Sequence, residues 1–222
     1  MKFDILTLFP DMVDYILSQS IIGRARDAKY IDVMTHDIRN FSNDRHRRVD
    51  DTPYGGGAGM LMKADPVFKC IDSISRSPDS RIIYMSPKGK VLTQNKAKEL
   101  SKYEQLIILC GHYEGIDQRV IDECVDEEIS IGDYVLTGGE LPACILCDCV
   151  SRMIPGVLAE SSCYEDESIY NGLLEYPQYT KPAVWHNIEV PEVLLNGNHS
   201  EINKWRYEKS VEETKTKRPD LL

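Results

Sequence analysis

No apolar run in this chain approaches the roughly 20 residues that a membrane-spanning helix needs. The opening MKFDILTLFPDM meets a proline and two acids too soon for a secretory leader. A cytoplasmic protein with no membrane partner is the expectation. A cysteine framework is missing as well, because the 7 cysteines are odd in number and carry no disulfide spacing, so they read as reduced thiols. Cys144, Cys147 and Cys149 form a C-x2-C-x-C run, yet no second pair of cysteines or histidines follows to complete four zinc ligands. They fit a buried helix in which the thiol serves as a small hydrophobe. Positive charge is also short. A formal net charge of -10 excludes a protein that coats nucleic acid indiscriminately, since phosphate affinity scales with available Lys and Arg. Two local basic clusters remain, at Arg39, Arg45, His46, Arg47 and Arg48 and at Lys215, Lys217 and Arg218. Either alone reads equally well as a solvated charged face. Low-complexity tracts are absent, and 42% hydrophobic with 28% charged residues is the balance of a folding globular chain. Its 222 residues suffice for one substantial domain, or for one domain with a small appendage.

What is present alternates in period. Phe3 to Phe9 is a short apolar run ended by Pro10, after which Met12, Val13, Ile16 and Leu17 recur at helical spacing, predicting a strand and then a helix. Arg81 to Met85 and Gln105 to Cys110 are apolar runs too short for helices and read as buried strands. Between them, Asp65-Pro66 supplies an N-cap and a proline for a helix marked by Val67, Phe68, Ile71 and Ile74, and a weaker helix covers Gln94 to Ser101. Strands alternating with helices predict an α/β fold with a mainly parallel sheet, whose ligands sit beyond the carboxyl ends of the strands. Leu141 to Met153 is apolar on nearly every side and is expected to be buried, in a core or a dimer interface. From Pro155 to Pro182 acids crowd a stretch of little periodicity that reads as a linker. Beyond it, Ser200 is placed to cap a short helix containing Ile202 and Trp205.

Four loop segments carry the chemistry. DRHRRVDDTPYGGGAGM, residues 44 to 60, holds Gly55, Gly56, Gly57 and Gly59, but it lacks the Gly-Lys-Ser/Thr ending of a P-loop. MSPKGK at 85 to 90 and CGHYEGIDQRV at 110 to 120 each follow a strand, and SIGDYVLTGGELP at 130 to 142 precedes the apolar helix. The last three can converge on one ligand through backbone groups, leaving little need for a charged clamp.

Together with LFPDM at 8 to 12, SRMIPGVL at 151 to 158, GLLEYPQYTKP at 172 to 182 and GNHSEINKWR at 197 to 206, these segments resemble the bacterial tRNA (guanine-N1)-methyltransferase family, of the SPOUT class, along essentially the whole chain. The resemblance implies an α/β domain with a trefoil knot at 1–158, a linker at 159–180 and a small helical tRNA-binding domain at 181–222, in a family whose members commonly run somewhat longer. It implies methyl transfer from S-adenosylmethionine to N1 of the guanine at position 37 of tRNA, in a homodimer whose subunits share each active site. Another knotted RNA methyltransferase, or a non-catalytic RNA-binding protein of the same fold, is the alternative. Mg2+ accompanies the family's activity, although no carboxylate cluster here identifies a metal site.

By motif match, the cofactor site draws on Tyr84, Ser86, Pro87, Gly111, Tyr113, Glu114, Ile131, Gly132, Tyr134, Leu136, Gly138, Gly139 and Pro142. Arg152 matches the arginine beside the reacting guanine. The family's general base is a linker aspartate followed by serine and phenylalanine. An ungapped count back from Gly172 places Glu167 on it, whereas residue type alone would choose Asp166. RNA contacts would come from Arg45, Arg47 and Arg48 and from His199, Trp205 and Arg206, with Trp205 better suited to anchoring a core than to stacking on a base.

Overall fold

The computed structural model describes residues 1–159 and 167–222, and the chain divides into two compact units, Met1–Ala159 and Glu160–Leu222. In the first unit the order is β1 (Lys2–Thr7), α1 (Pro10–Leu17), α2 (Ser20–Asp27), β2 (Asp32–Asp37), β3 (Asp50–Asp51), β4 (Leu61–Met62), α3 (Ala64–Asp72), β5 (Ser80–Val91), α4 (Gln94–Leu100), β6 (Gln105–Cys110), α5 (Gln118–Cys124), β7 (Glu127–Ser130) and α6 (Glu140–Ser151). Five strands form one sheet in the order β2-β1-β6-β5-β7, every neighbouring pair parallel. The expected α/β class with a mainly parallel sheet is what the chain adopts.

Both faces of that sheet are covered, which is why β6 reads QLIILC without alternation: all six of its residues are buried. Phe3, Ile5, Leu106 and Ile108 pack under α1, α2, α4 and α6, while Leu6, Ile82, Ile107 and Leu109 pack under α3 and α5.

Several local expectations need correction. The segment MSPKGK is not a loop after β5 but part of it: pairing with β7 skips from Met85 to Lys90, both opposite Ile129, so four residues bulge out of the ladder. A bulge is one of the few places in a sheet where a proline such as Pro87 fits. Asp65 does not cap α3, which begins at Ala64 after Lys63 with no side-chain cap; Asp65 lies in the first turn and pairs with Lys69 at 2.8 Å. Within this chain the helix at 141 to 153 is buried on one side. Ala143, Leu146, Cys147 and Val150 face the core, but Leu141 and Ile145 are 45% and 43% exposed.

In the second unit, β8 (Val184–Trp185) and β9 (Ile188–Glu189) form a hairpin turned by His186 and Asn187, both at positive φ as a two-residue turn requires. The helix beyond it is long rather than short. It runs as α7 (His199–Lys217), and Asn198, not Ser200, caps it by accepting from the Glu201 amide. Its buried side is narrow, with Ile202, Ser210 and Thr214, and Thr214 Oγ1 accepts from the Leu174 amide at 2.8 Å. Residues 174 and 214 thus tie the segment before the hairpin to the helix.

Candidate functional site

The carboxyl ends of β5, β6 and β7 open into a pocket of about 410 Å³. The β5 bulge supplies Ser86, Pro87 and Lys88, and its shape is held by Ser86 Oγ, which accepts from the Lys88 amide at 3.2 Å. The loop after β6 supplies Gly111 to Ile116, and the loop after β7 supplies Ile131 and Tyr134 to Gly139. This last loop starts at the sheet edge and returns two strands inwards. There the Gly139 amide donates to the Gly111 carbonyl at 2.8 Å and Gly138 bridges His112.

Of the thirteen residues predicted for the cofactor site, all but Gly132 line this pocket. Gly132 instead lies one step behind it at φ 147, where its carbonyl accepts from the Ser130 hydroxyl and sets the turn out of β7. Gly139 is required by close approach, because a Cβ there would stand 2.7 Å from the Cα of Cys110 and 2.9 Å from the Gly111 nitrogen. Two polar atoms point to a ligand. Tyr84 is only 7% exposed, its hydroxyl lies 2.7 Å from where a Gly111 Cβ would be, and no described residue hydrogen-bonds to it. Burial first, then the nearby Glu128 and Cys110, push its phenol up to about 12, so it stays a donor. His112 Nδ1 is buried without a partner. The motif match missed His112, Lys88, Gln118 and Thr137, which also line the pocket; His112 and Lys88 sit inside the very segments GHYEG and SPKG that pointed here.

Below the pocket mouth Glu140, 4% exposed, opens α6 and accepts from the Thr7 hydroxyl at 2.8 Å, tying the helix to the end of β1. The glycine-rich segment borders the site through Leu61 and through Gly59, which packs against the Glu114 side chain. Gly55, Gly56 and Gly57 are not among the residues that line the pocket, and a Cβ at any of them would meet nothing within 4 Å.

The catalytic candidates are not among the residues that line the pocket. Arg152 follows the last turn of α6, ten residues beyond Pro142 in the first turn, which lines the pocket, so by helical rise the two are roughly 15 Å apart. Glu167 is exposed in the second unit, and Asp166 lies outside the described residues. Among the basic residues, Arg47 pairs with Asp37 at 2.9 Å and Arg48 with Asp44 at 2.8 Å, the Arg48 guanidinium holding that carboxyl well below the usual range. Arg39 donates to the Leu8 carbonyl and lies over Phe9, leaving Arg45 as the exposed cation of the cluster with no ion pair among the described residues. Trp205 is half-buried beside Tyr179 rather than a core anchor, and His199 and Arg206 are exposed on α7. Among the described residues no three His, Cys, Asp or Glu side chains gather as a metal site, and no helix is long and apolar enough to cross a membrane. The six described cysteines are free, and burial pushes the thiols of Cys110 and Cys147 up, as for inert core residues.

The family model described as tRNA (Guanine-1)-methyltransferase TrmD matches residues 1–222. The chain is 58% identical over 224 residues to the tRNA (guanine-N(1)-)-methyltransferase of Ruminiclostridium cellulolyticum, covering all of this chain and 96% of that one. It is 54% identical to the enzyme of the same name from Alkaliphilus metalliredigens and 53% identical to that of Geobacter sulfurreducens, covering 92% and 91% of their lengths.

Proposed function

The chain belongs to the tRNA (guanine-N1)-methyltransferase family, and from that premise we propose that it transfers a methyl group from S-adenosylmethionine to N1 of the guanine at position 37 of tRNA. The observation that carries the reading is the pocket at the strand ends, built from three loops that present backbone at close range. It fits a nucleoside cofactor. The glycines at 111 and 139 give room that a Cβ would fill, and the unpartnered Tyr84 hydroxyl and His112 Nδ1 await polar groups. The cofactor supplies an already activated sulfonium methyl. The work left for this chain is to align N1 of guanine, remove its proton and stabilise charge spreading to O6. We assign the proton to Glu167 in preference to Asp166 and the developing charge to Arg152.

The roughly 15 Å between the pocket and Arg152 supports a site shared by two chains, because no arginine side chain spans that length. A matching surface exists. Met12 and Tyr15 on α1, with Leu141 and Ile145 on the neighbouring α6, are 41%, 70%, 45% and 43% exposed, an apolar face of the kind that marks an interface. We therefore propose a homodimer. The inward return of the chain after β7 supports the trefoil knot of the SPOUT class, and unit Glu160–Leu222 is assigned to linker and tRNA binding.

Methyl transfer to transcripts that bear or lack guanine at position 37 tests the reading: transfer only to the first is expected, and transfer to neither, or to both alike, would overturn it. Glu167→Gln should slow single-turnover transfer by about 10²–10⁴-fold with Asp166→Asn much milder. The reverse ranking would move the base to Asp166.

A further inference from the structure

The second unit holds a cavity of its own, about 210 Å³, whose lining includes two of the residues expected to meet RNA, Trp205 and Arg206. Tyr176 and Tyr179 reach it from the segment before the hairpin, Leu194 from the turn before α7, and Ile202, Trp205 and Arg206 from α7 itself. The rings of Tyr179 and Trp205 are 6.5 Å apart and tilted by 51°, so neither face is closed by the other. Below the size of a whole cofactor site, such a volume suits one planar heterocycle.

The charges around it single out one residue. Along α7, Lys204 pairs with Glu208, Lys209 with Glu212 and Lys217 with Glu213, and Arg218 just beyond pairs with Asp220. Arg206 pairs with no carboxylate among the described residues. Its guanidinium lies 4.8 Å from the centre of the Tyr176 ring, held at the cavity by a cation–π contact with its outward N–H groups unspent. Among the described residues, no acidic one lines the cavity. Yet residues 160–222 as a whole are acidic, with twelve Asp and Glu against seven Lys and Arg, so long-range attraction cannot bring phosphate here. Affinity at this place has to come from stacking and from one short-range cation.

We propose that this cavity binds a single unstacked nucleotide of the RNA substrate, its base among Tyr176, Tyr179 and Trp205 and its phosphate on Arg206. This is a second nucleotide contact, apart from the reacting guanine, and it rests on the RNA-modifying reading above. Aromatic rings that accept any base by its π-face hold single strands in this way, and an adjacent arginine adds a stacked or phosphate-bonded cation.

The chain has 2 tryptophans, so Trp185→Phe leaves Trp205 as the sole indole reporter. In that background a tRNA transcript bearing guanine at position 37 should quench the Trp205 emission as it binds. Arg206→Met and Tyr179→Ala should each weaken transcript binding roughly tenfold. Arg206→Met should also lower the salt slope of binding by about one. In both variants KM for tRNA should rise while kcat and calorimetric affinity for S-adenosylhomocysteine stay level, and Tyr179→Phe, which keeps the ring, should restore binding. A transcript that is methylated while Trp205 emission is unmoved would overturn the proposal and leave the function standing. A change in kcat with no change in tRNA affinity would overturn it too. A transcript neither bound nor methylated by the Trp185→Phe protein or the parent would overturn the proposal and the function together.

Discussion

Two places in the same sheet treat buried polar groups in opposite ways. Towards the amino ends of the strands, Asp4 is fully buried and fully satisfied: His36 lies at 2.7 Å, Gln105 Nε2 donates at 2.7 Å, and Lys2 pairs at 3.0 Å. Gln105 in turn donates to the Ser75 carbonyl and accepts from the Ser77 amide. Towards the carboxyl ends, Tyr84 and His112 keep polar atoms without partners among the described residues. The first arrangement closes on itself and can only stabilise. The second is incomplete, and completing it takes a ligand. The contrast locates function more sharply than burial does, since both places lie in the same well-packed layer.

The largest effect that would break this contrast is at Gly139. Valine there drives a Cβ into the backbone at Cys110 and Gly111. Affinity for S-adenosylhomocysteine should fall by more than about 100-fold, consistent with the loss of a preorganised backbone cradle, while the far-UV dichroism and a cooperative melt persist. Unchanged calorimetric affinity in the folded variant would remove these loops from the site. Next is Asp4→Ala at the closed end, which strips the acceptor from His36, Gln105 and Lys2. It should cost about 2–4 kcal/mol of stability, somewhat below a fully enclosed pair because Lys2 and His36 reach solvent, with cofactor affinity intact. Urea melts and calorimetry on one preparation separate the two. Smaller again is Tyr84→Phe at the open end. Removing a donor that has no protein partner should leave stability level within about 0.5 kcal/mol, yet weaken the cofactor by roughly fivefold to tenfold. A variant that is destabilised without losing affinity would show that the hydroxyl serves the fold.

How much of this was legible in the chain follows the same division. Runs buried on both faces announced themselves, and β6 begins and ends where QLIILC does. The convergence of three loops was legible in their glycines, while most of the lining residues came from the match to the family's motifs. Other features depend on partners far away in sequence. Pro87 and Gly89 look like a loop until β7 lies alongside to make them a bulge. Which side of α6 faces water follows from the packing of α1 and the sheet, not from its uniformly apolar sequence. Asn198 and Ser200 are both good caps, and only the tertiary start of α7 decides between them. One signal went unused: an aspartate inside the apolar run KFDILT has to be satisfied by something, and it marks the closed network.

That network gives the mildest test of the contrast, through pH. Burial by itself would raise the Asp4 carboxyl, but hydrogen bonds from His36, Gln105 and Lys2 together overcome it and hold the group below its ordinary value. A carboxyl depressed in the folded state contributes stability that is complete above its unfolded pKa of about 3.9 and is lost as pH falls through the folded value. The chain should therefore lose stability on acidification from about pH 5 downwards, more steeply than Asp4→Asn, whose amide cannot titrate. Asp44, Asp117 and Asp220 are also held low, each mainly by hydrogen bonds from a neighbouring arginine, but those arginines are exposed, at Arg48, Arg119 and Arg218. Salt separates the two kinds. At 1 M the Debye length shrinks to about 3 Å, so the exposed pairs should stop contributing while the enclosed Asp4 persists. The difference in acid slope between the parent and Asp4→Asn should thus survive high salt. If it vanishes there, Asp4 titrates like a surface group, and the closed end of the sheet is not closed.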